Sequence, residues 1–362
     1  MSSHRRTETS RVYWLDALRG LAIIAVVMGH INIGLMQAGL TNKDPEFFRV
    51  LHTLLYLVHM PLFAFLFGLN IPSAWEKRQS WAYAGRRIWL FLYLYLVWTL
   101  IQGSFEVFGA RFSNGGTSWF DVLNIVYPLA HLWYLPWMIV IYTILILLKP
   151  WRSVARAMAS ICLFSIISWL SWGVDYPEFY RRGIAIAIFA VIGALVGTER
   201  VKSLDSIKFA LLLSLALAVS IIFVVLISIA NHLTIPTLAD AKITLESKIL
   251  GILVSCLGII SLLLWGNLLS RSVRISFLEV IGTYSLQIYL MHLLFTPTLR
   301  ILLTKVGVQD PWIIIVVSLI GGVGLPFICA TVFYRQTSWI FDLPRGKSYR
   351  AKHSAKYNIH QF

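Results

Sequence analysis

Runs of about twenty apolar residues, broken by short polar links, recur from one end of the chain to the other. A helix that crosses a bilayer needs about 20 mainly apolar residues, so a run of this length predicts a spanning helix rather than a buried strand. By that measure ten spans are predicted, near 13–36, 49–71, 88–108, 130–148, 157–173, 180–198, 208–230, 248–269, 278–300 and 311–334. The longest link on the side away from the N-terminus, 231-NHLTIPTLADAKITLES-247, is too short to be a domain. No inverted internal repeat of the transporter kind stands out. The expected fold class is therefore all-α integral membrane, with about ten transmembrane helices. One transmembrane domain, 13–334, lies between an N-terminal tail, 1–12, and a basic C-terminal tail, 335–362.

Charge sharpens this picture. Of 362 residues 58% are hydrophobic and only 13% charged, yet the net charge is +15. In a soluble protein that excess would suggest a nucleic-acid partner. Here the cations fall in the links between apolar runs, and no nucleic acid is expected. With the N-terminus in the cytoplasm, 21 Lys and Arg fall on the inside and nine on the outside. That asymmetry is the positive-inside pattern, and it predicts that both termini are cytoplasmic. No short apolar segment is followed by a small-residue cleavage site, so no removable signal peptide is expected. Cys162, Cys256 and Cys329 sit inside apolar runs without pairing or CxxC spacing. They read as small core residues, and no metal is expected.

One stretch breaks the apolar rule. In 15-LDALRGLAIIAVVMGH-30, Asp16 and Arg19 open a span and His30 lies well inside it. A charge near the middle of a membrane helix costs about 2.5–3.5 kcal/mol on insertion scales. On a helix with about 3.6 residues per turn, Arg19 and His30 fall within about 20° of each other and Asp16 within about 40° of His30. All three share a stripe, and about 16 Å separates Arg19 from His30 along the axis. Two readings fit. In one, Arg19 pairs with Asp16 and snorkels to the interface while His30 bonds a neighbouring carbonyl. In the other, the stripe lines a route through the membrane, the usual meaning of an intramembrane ionisable group.

The LDALRG…H pattern, with ten residues between Arg and His, resembles the opening of the integral-membrane acyltransferase-3 family. The likeness continues in 59-HMPLFAFLFGLNIP-72, in Arg86–Arg87, in 131-HLWYLPW-137 and in 282-GTYSLQIYLMH-292, covering roughly 12–340. The wording is similar to the fucose 4-O-acetylase-like branch, which modifies surface polysaccharides. The resemblance implies a membrane O-acyltransferase, most simply an O-acetyltransferase, in the plasma membrane (a bacterial inner membrane). Its donor would be cytoplasmic acyl-CoA, in the simplest case acetyl-CoA, and its acceptor a hydroxyl of a cell-surface or lipid-linked glycan. One departure is Phe67-Gly68-Leu69, where relatives commonly carry Ser-Gly-Phe.

The resemblance places catalysis on His30, paired with Arg19 and supported by Asp16, and phosphate binding on Arg19, Arg86 and Arg87. The residue types suit that chemistry. A histidine can take a proton from a hydroxyl near neutral pH, and guanidinium forks bind phosphate groups. Arg86 and Arg87 read equally as positive-inside anchors. Candidate pocket residues are His59, Trp133, Tyr134, Ser285, Tyr289 and His292. His59 precedes Pro61, whose ring should interrupt the helical ladder. Ser285, Tyr289 and His292 follow i, i+4, i+7 spacing and so face one direction. Trp133 and Tyr134 are either interfacial belt aromatics or sugar-stacking rings. Two other classes compete: a secondary transporter of an acylated or sugar-linked molecule with His30 as proton relay, and a structural subunit with no chemistry of its own. The first would call for paired midplane carboxylates, which the apolar runs lack; the second has no use for Arg19 and His30 on one stripe.

Overall fold

The computed structural model describes residues 12–109, 116–230, 232–272 and 276–344. The described residues are mostly helical, with no strand among them, and ten helices are long and apolar enough to cross a membrane. The spans run through α1 (Tyr13–Gln37), α2 (Pro45–Leu69) continued by α3 (Ile71–Arg78), and α4 (Trp81–Gly109). After the short α5 (Trp119–Leu123) come α6 (Tyr134–Leu148), α7 (Val154–Ser171), α8 (Ala187–Lys202) and α9 (Phe209–Ile229). The last are α10 (Leu245–Ser272), α11 (Ser276–Thr283) running into α12 (Ser285–Lys305), and α13 (Pro311–Thr331). The chain is a multi-pass membrane protein. The end of the bundle where α1 begins is called basal below, and the other end distal.

Several predicted boundaries differ: the second span runs on to Arg78, and α8 begins at Ala187 rather than near 180. α4 begins seven residues before the predicted span, because 81-WAYAGRR-87 has good helix formers and carries the helix out past the apolar run. Arg86 and Arg87 therefore lie within its first turns. The predicted 278–300 span is two helices, broken at Tyr284 between α11 and α12. Pro61 does not stop α2, which continues from Pro45 to Leu69.

Small residues set the closest approaches in the core. A Cβ added to Gly20 would lie 2.2 Å from the Leu278 carbonyl oxygen, and one added to Gly282 would overlap the Asp16 carbonyl at 1.7 Å. α1 and α11 thus touch backbone to backbone, the packing that glycine allows where lipid supplies no hydrophobic drive between helices. Gly68 meets the Ala190 carbonyl and Gly193 the Phe65 carbonyl in the same way, joining α2 to α8. Gly68 thereby makes a close backbone contact within the Phe67-Gly68-Leu69 stretch. α1 is flanked by α2, α11, α12 and α13, whereas α9 leaves one apolar side unburied, with Ile221, Ile222 and Val224 exposed.

The cysteines are free; Cys162 is on the exposed side of α7, and Cys256 and Cys329 are half-buried. Of the predicted tails, 1–11 and 345–362 lie outside the described residues. The chain from α14 (Tyr334–Thr337) to Ile340 is docked on α4, where Trp98 Nε1 donates to the Ile340 carbonyl at 2.7 Å and the Tyr93 hydroxyl to the Trp339 carbonyl at 2.8 Å.

Candidate active site

α1 carries polar groups to both ends of the bundle. Near its start, Arg19 Nη1 donates to Asp16 Oδ1 at 2.5 Å, one turn back on the same helix. Arg19 also lines a basal cavity with about 770 Å³ of empty space, counting the part open to solvent. Arg87 and Asn70 line the same cavity, whose walls are apolar: Met60, Phe63, Phe67, Phe91 and Met138. The Arg87 guanidinium lies 5.3 Å over the Tyr142 ring and 5.9 Å from that of Phe91, a cation–π arrangement that aims it inward. Arg86 is exposed and lines neither this cavity nor the distal one described below. The two adjacent arginines are thus sorted, one to the cavity and one to the surface.

Ser285, Tyr289 and Tyr134 complete this cavity. Tyr134 stacks on Trp137 with centroids 5.0 Å apart and meets Tyr289 at 5.9 Å. Beyond Tyr289 lie three imidazoles drawn from three parts of the chain. His292 is 5.1 Å from His30 and 4.7 Å from His131, centroid to centroid, and His30 is 5.9 Å from His131. His131 also meets Tyr289 edge-on at 4.7 Å. The ring series Tyr134, Tyr289, His131, His30 therefore connects the apolar wall of the basal cavity to His30.

Local structure explains how His131 arrives there. It belongs to a non-helical segment before α6, with Ala130 in left-handed backbone at φ +40°. Such backbone is tolerated at membrane depth only when protein satisfies it. Here the Tyr95 hydroxyl donates to the Ile125 carbonyl at 2.6 Å, the Phe179 amide to Val126 at 2.8 Å and Arg182 to Pro128 at 3.1 Å. The Tyr289 hydroxyl donates to the His131 carbonyl. These bonds clamp the segment against α4 and α12.

The three histidines differ in their free nitrogens. His292 Nδ1 donates to the Tyr289 carbonyl at 2.7 Å, so in the neutral ring Nε2 is the lone-pair nitrogen, and it is buried with no protein partner. Both His131 ring nitrogens are buried without a partner in the protein. Among the described residues His30 makes no hydrogen bond, and it opens onto a second, distal cavity of about 610 Å³ lined also by Gln37, Thr296, Arg300 and Ser318. Among the described residues no group of three or more His, Cys, Asp or Glu is arranged to hold a metal ion.

A sequence model of the acyltransferase-3 family, described as an acyltransferase domain, matches residues 12–331. The chain belongs to this family. Comparison with curated proteins and with solved structures returns no match. This membrane acyltransferase needs a donor and an acceptor, and it presents two cavities that meet at one group of rings.

The acyltransferase brings together Arg19, Arg87, Tyr134, Ser285 and Tyr289 around the basal cavity, while His30 lines the distal cavity and His292 packs against the His30 and His131 rings. The other candidates stand apart. His59 is buried with Nδ1 at 2.5 Å from the Leu55 carbonyl, not on the Leu57 carbonyl that Pro61 leaves without its helical donor, and it lines neither cavity. Trp133 packs on Gly183, where an added Cβ would strike its ring at 2.1 Å. Two residues that sequence reasoning passed over lie at the site: His131, inside the quoted HLWYLPW motif, and Arg300.

Proposed function

We propose that this acyltransferase is an O-acetyltransferase of the fucose 4-O-acetylase-like branch. In this reading it moves an acetyl group from acetyl-CoA, bound from the cytoplasm in the basal cavity, to a hydroxyl of a cell-surface or lipid-linked glycan entering the distal cavity. The observation that carries it is His30, free of internal hydrogen bonds among the described residues, lining a polar distal cavity and joined through the His131 and Tyr289 rings to a basal cavity lined by two guanidiniums. The positive-inside asymmetry supports a cytoplasmic basal end in a plasma membrane.

Arg19 and Arg87 would hold the donor's phosphates, with Asp16 orienting Arg19. The apolar wall would take the pantetheine arm and exclude water from the thioester. His30 would accept the proton as the sugar oxygen attacks the thioester carbonyl, then return it to the departing thiolate. The C–S bond breaks, the ester C–O bond forms, and the products are the O-acetyl sugar and free thiol. Among the described residues no pair of carboxylates lines either cavity, and the family membership leaves the transporter alternative without support.

The test is transfer of radiolabelled acetyl from acetyl-CoA to host glycan in membranes, wild type against His30→Ala. The expected outcome is labelled glycan that falls by about 10²–10⁴-fold in the variant while membrane insertion is kept. Full labelling with His30→Ala would remove His30 from the chemistry, and no labelling in wild type would overturn the donor assignment.

A further inference from the structure

Arg300 is a cation of the α12 distal half whose position serves no internal ion pair. Among the described residues no carboxylate bonds to it, and none lines the distal cavity. The side chain does not simply reach out to the surface. A Cβ added to Gly34 would lie 3.3 Å from Arg300 Nε and 3.8 Å from its Cδ, so the guanidinium base rests on the face of α1. Gly34 is one helical turn past His30, about 6 Å along the axis, on the scale of a single pyranose ring. Ser318, fully buried and with its hydroxyl unpartnered, lines the same cavity, as do Thr296 and Gln37.

Arg300 is half-buried at the distal end of the bundle beside a cavity that no described carboxylate lines, and its planar fork matches carboxylate and phosphate oxygens. We infer that Arg300 is the anchor for an anionic group on the acceptor, so that the distal cavity selects a sugar bearing a carboxylate or phosphate and presents a neighbouring hydroxyl to His30. Ser318 and Thr296 supply hydroxyls for the same oxyanion or the adjoining ring oxygens. This assignment rests on reading the distal cavity as the acceptor site.

Three probes isolate the charge: methyl glucoside, methyl glucuronide and methyl glucoside 6-phosphate, titrated against the purified full chain in neutral detergent by saturation-transfer NMR. An anionic probe is expected to bind roughly tenfold to a hundredfold more tightly than the neutral one, as for hydrogen bonds to a charged group. The carboxylate and phosphate arms show which anion the site takes. Arg300→Gln should erase the preference with neutral binding unchanged, Arg300→Lys should retain part of it, and Lys43→Gln, an exposed cation in the link after α1, should leave it intact. Equal binding of all three probes by wild type overturns the inference without any variant, as does a preference that survives Arg300→Gln. Acetyl transfer to the same probes separates the two readings. Transfer with no anionic preference sinks the Arg300 assignment alone. Anionic binding that Arg300→Gln abolishes, without transfer to any probe, supports the Arg300 site and counts against the reaction.

Discussion

Arg19 and His30 occupy one stripe of α1 yet open onto different cavities. Arg19 faces the basal cavity and His30 the distal one, with Val26 of the same helix lining the basal cavity between them. A donor fixed at Arg19 therefore does not lie along the whole stripe in one continuous groove. Its acyl end must approach His30 past Tyr289 and Tyr134. On the proposed reading the ring group is then a partition as well as a candidate catalytic centre, and it would keep a hydrolysable donor away from distal water.

The sorting of Arg86 and Arg87 gives a direct test. Arg87→Gln removes a guanidinium from the cavity, and the KM for acetyl-CoA is expected to rise about tenfold with kcat little changed, the pattern for lost uniform binding. Arg86→Gln should stay within about twofold on both parameters, since an exposed membrane-end cation contributes little beyond anchoring. Equal KM effects at the two positions would contradict the sorting.

The ten spans were legible because each is a run of lipid-compatible residues, and the Arg19–His30 stripe was legible because a helix converts spacing into direction. The shared direction of Ser285, Tyr289 and His292 follows from the same rule, and the first two do line one cavity. His131 was not legible. It belongs to a non-helical segment, where spacing carries no facing information, and it reaches His30 only because bonds from Tyr95, Phe179 and Arg182 hold that segment in place. Arg300 looked like one more cation near a span end; what distinguishes it is contact with Gly34 on a distant helix. Tyr284, which breaks the ninth span, has no proline or glycine at that position to announce the break.

The distal link between α9 and α10 carries a pH-sensitive clasp. Burial alone would raise the Asp240 carboxyl, but hydrogen bonds from the Lys242 amide at 2.9 Å and from His232 at 2.7 Å outweigh it and hold Asp240 below its ordinary 3.8. An acid with a lowered folded pKa contributes stability above its unfolded pKa and loses it as pH falls through the lower, folded one. Amide exchange across 232–244 should therefore accelerate as pH drops below 3.8, after correction for intrinsic rates, and Asp240→Asn should abolish that dependence. A link equally protected in acid and at neutral pH would contradict the clasp.

Backbone contact between α1 and α11 predicts a steep size limit at Gly282. The methyl of Gly282→Ala would sit 1.7 Å from the Asp16 carbonyl oxygen, so the helices must separate and carry the Asp16–Arg19 pair with them. A loss of about 1–3 kcal/mol or more is expected, seen as a lower melting temperature in detergent. Gly324→Ala on α13, where an added Cβ meets nothing within 4 Å, should be neutral or slightly stabilising. Equal melting temperatures for the two variants would refute the close packing.

His131 should separate stability from activity. Two buried ring nitrogens without protein partners are a standing penalty of about 1–3 kcal/mol each where nothing else satisfies them. A ring of similar shape without nitrogens relieves that penalty, so His131→Phe is expected to melt no lower than wild type. Its kcat should nevertheless fall at least about tenfold, because a proton acceptor or donor beside His30 and His292 is gone. A variant that melts lower and keeps full kcat would show instead that the His131 nitrogens serve the fold through ordered water. The paired measurement decides between those roles, since a structural histidine and a reactive one move the two readings in opposite directions.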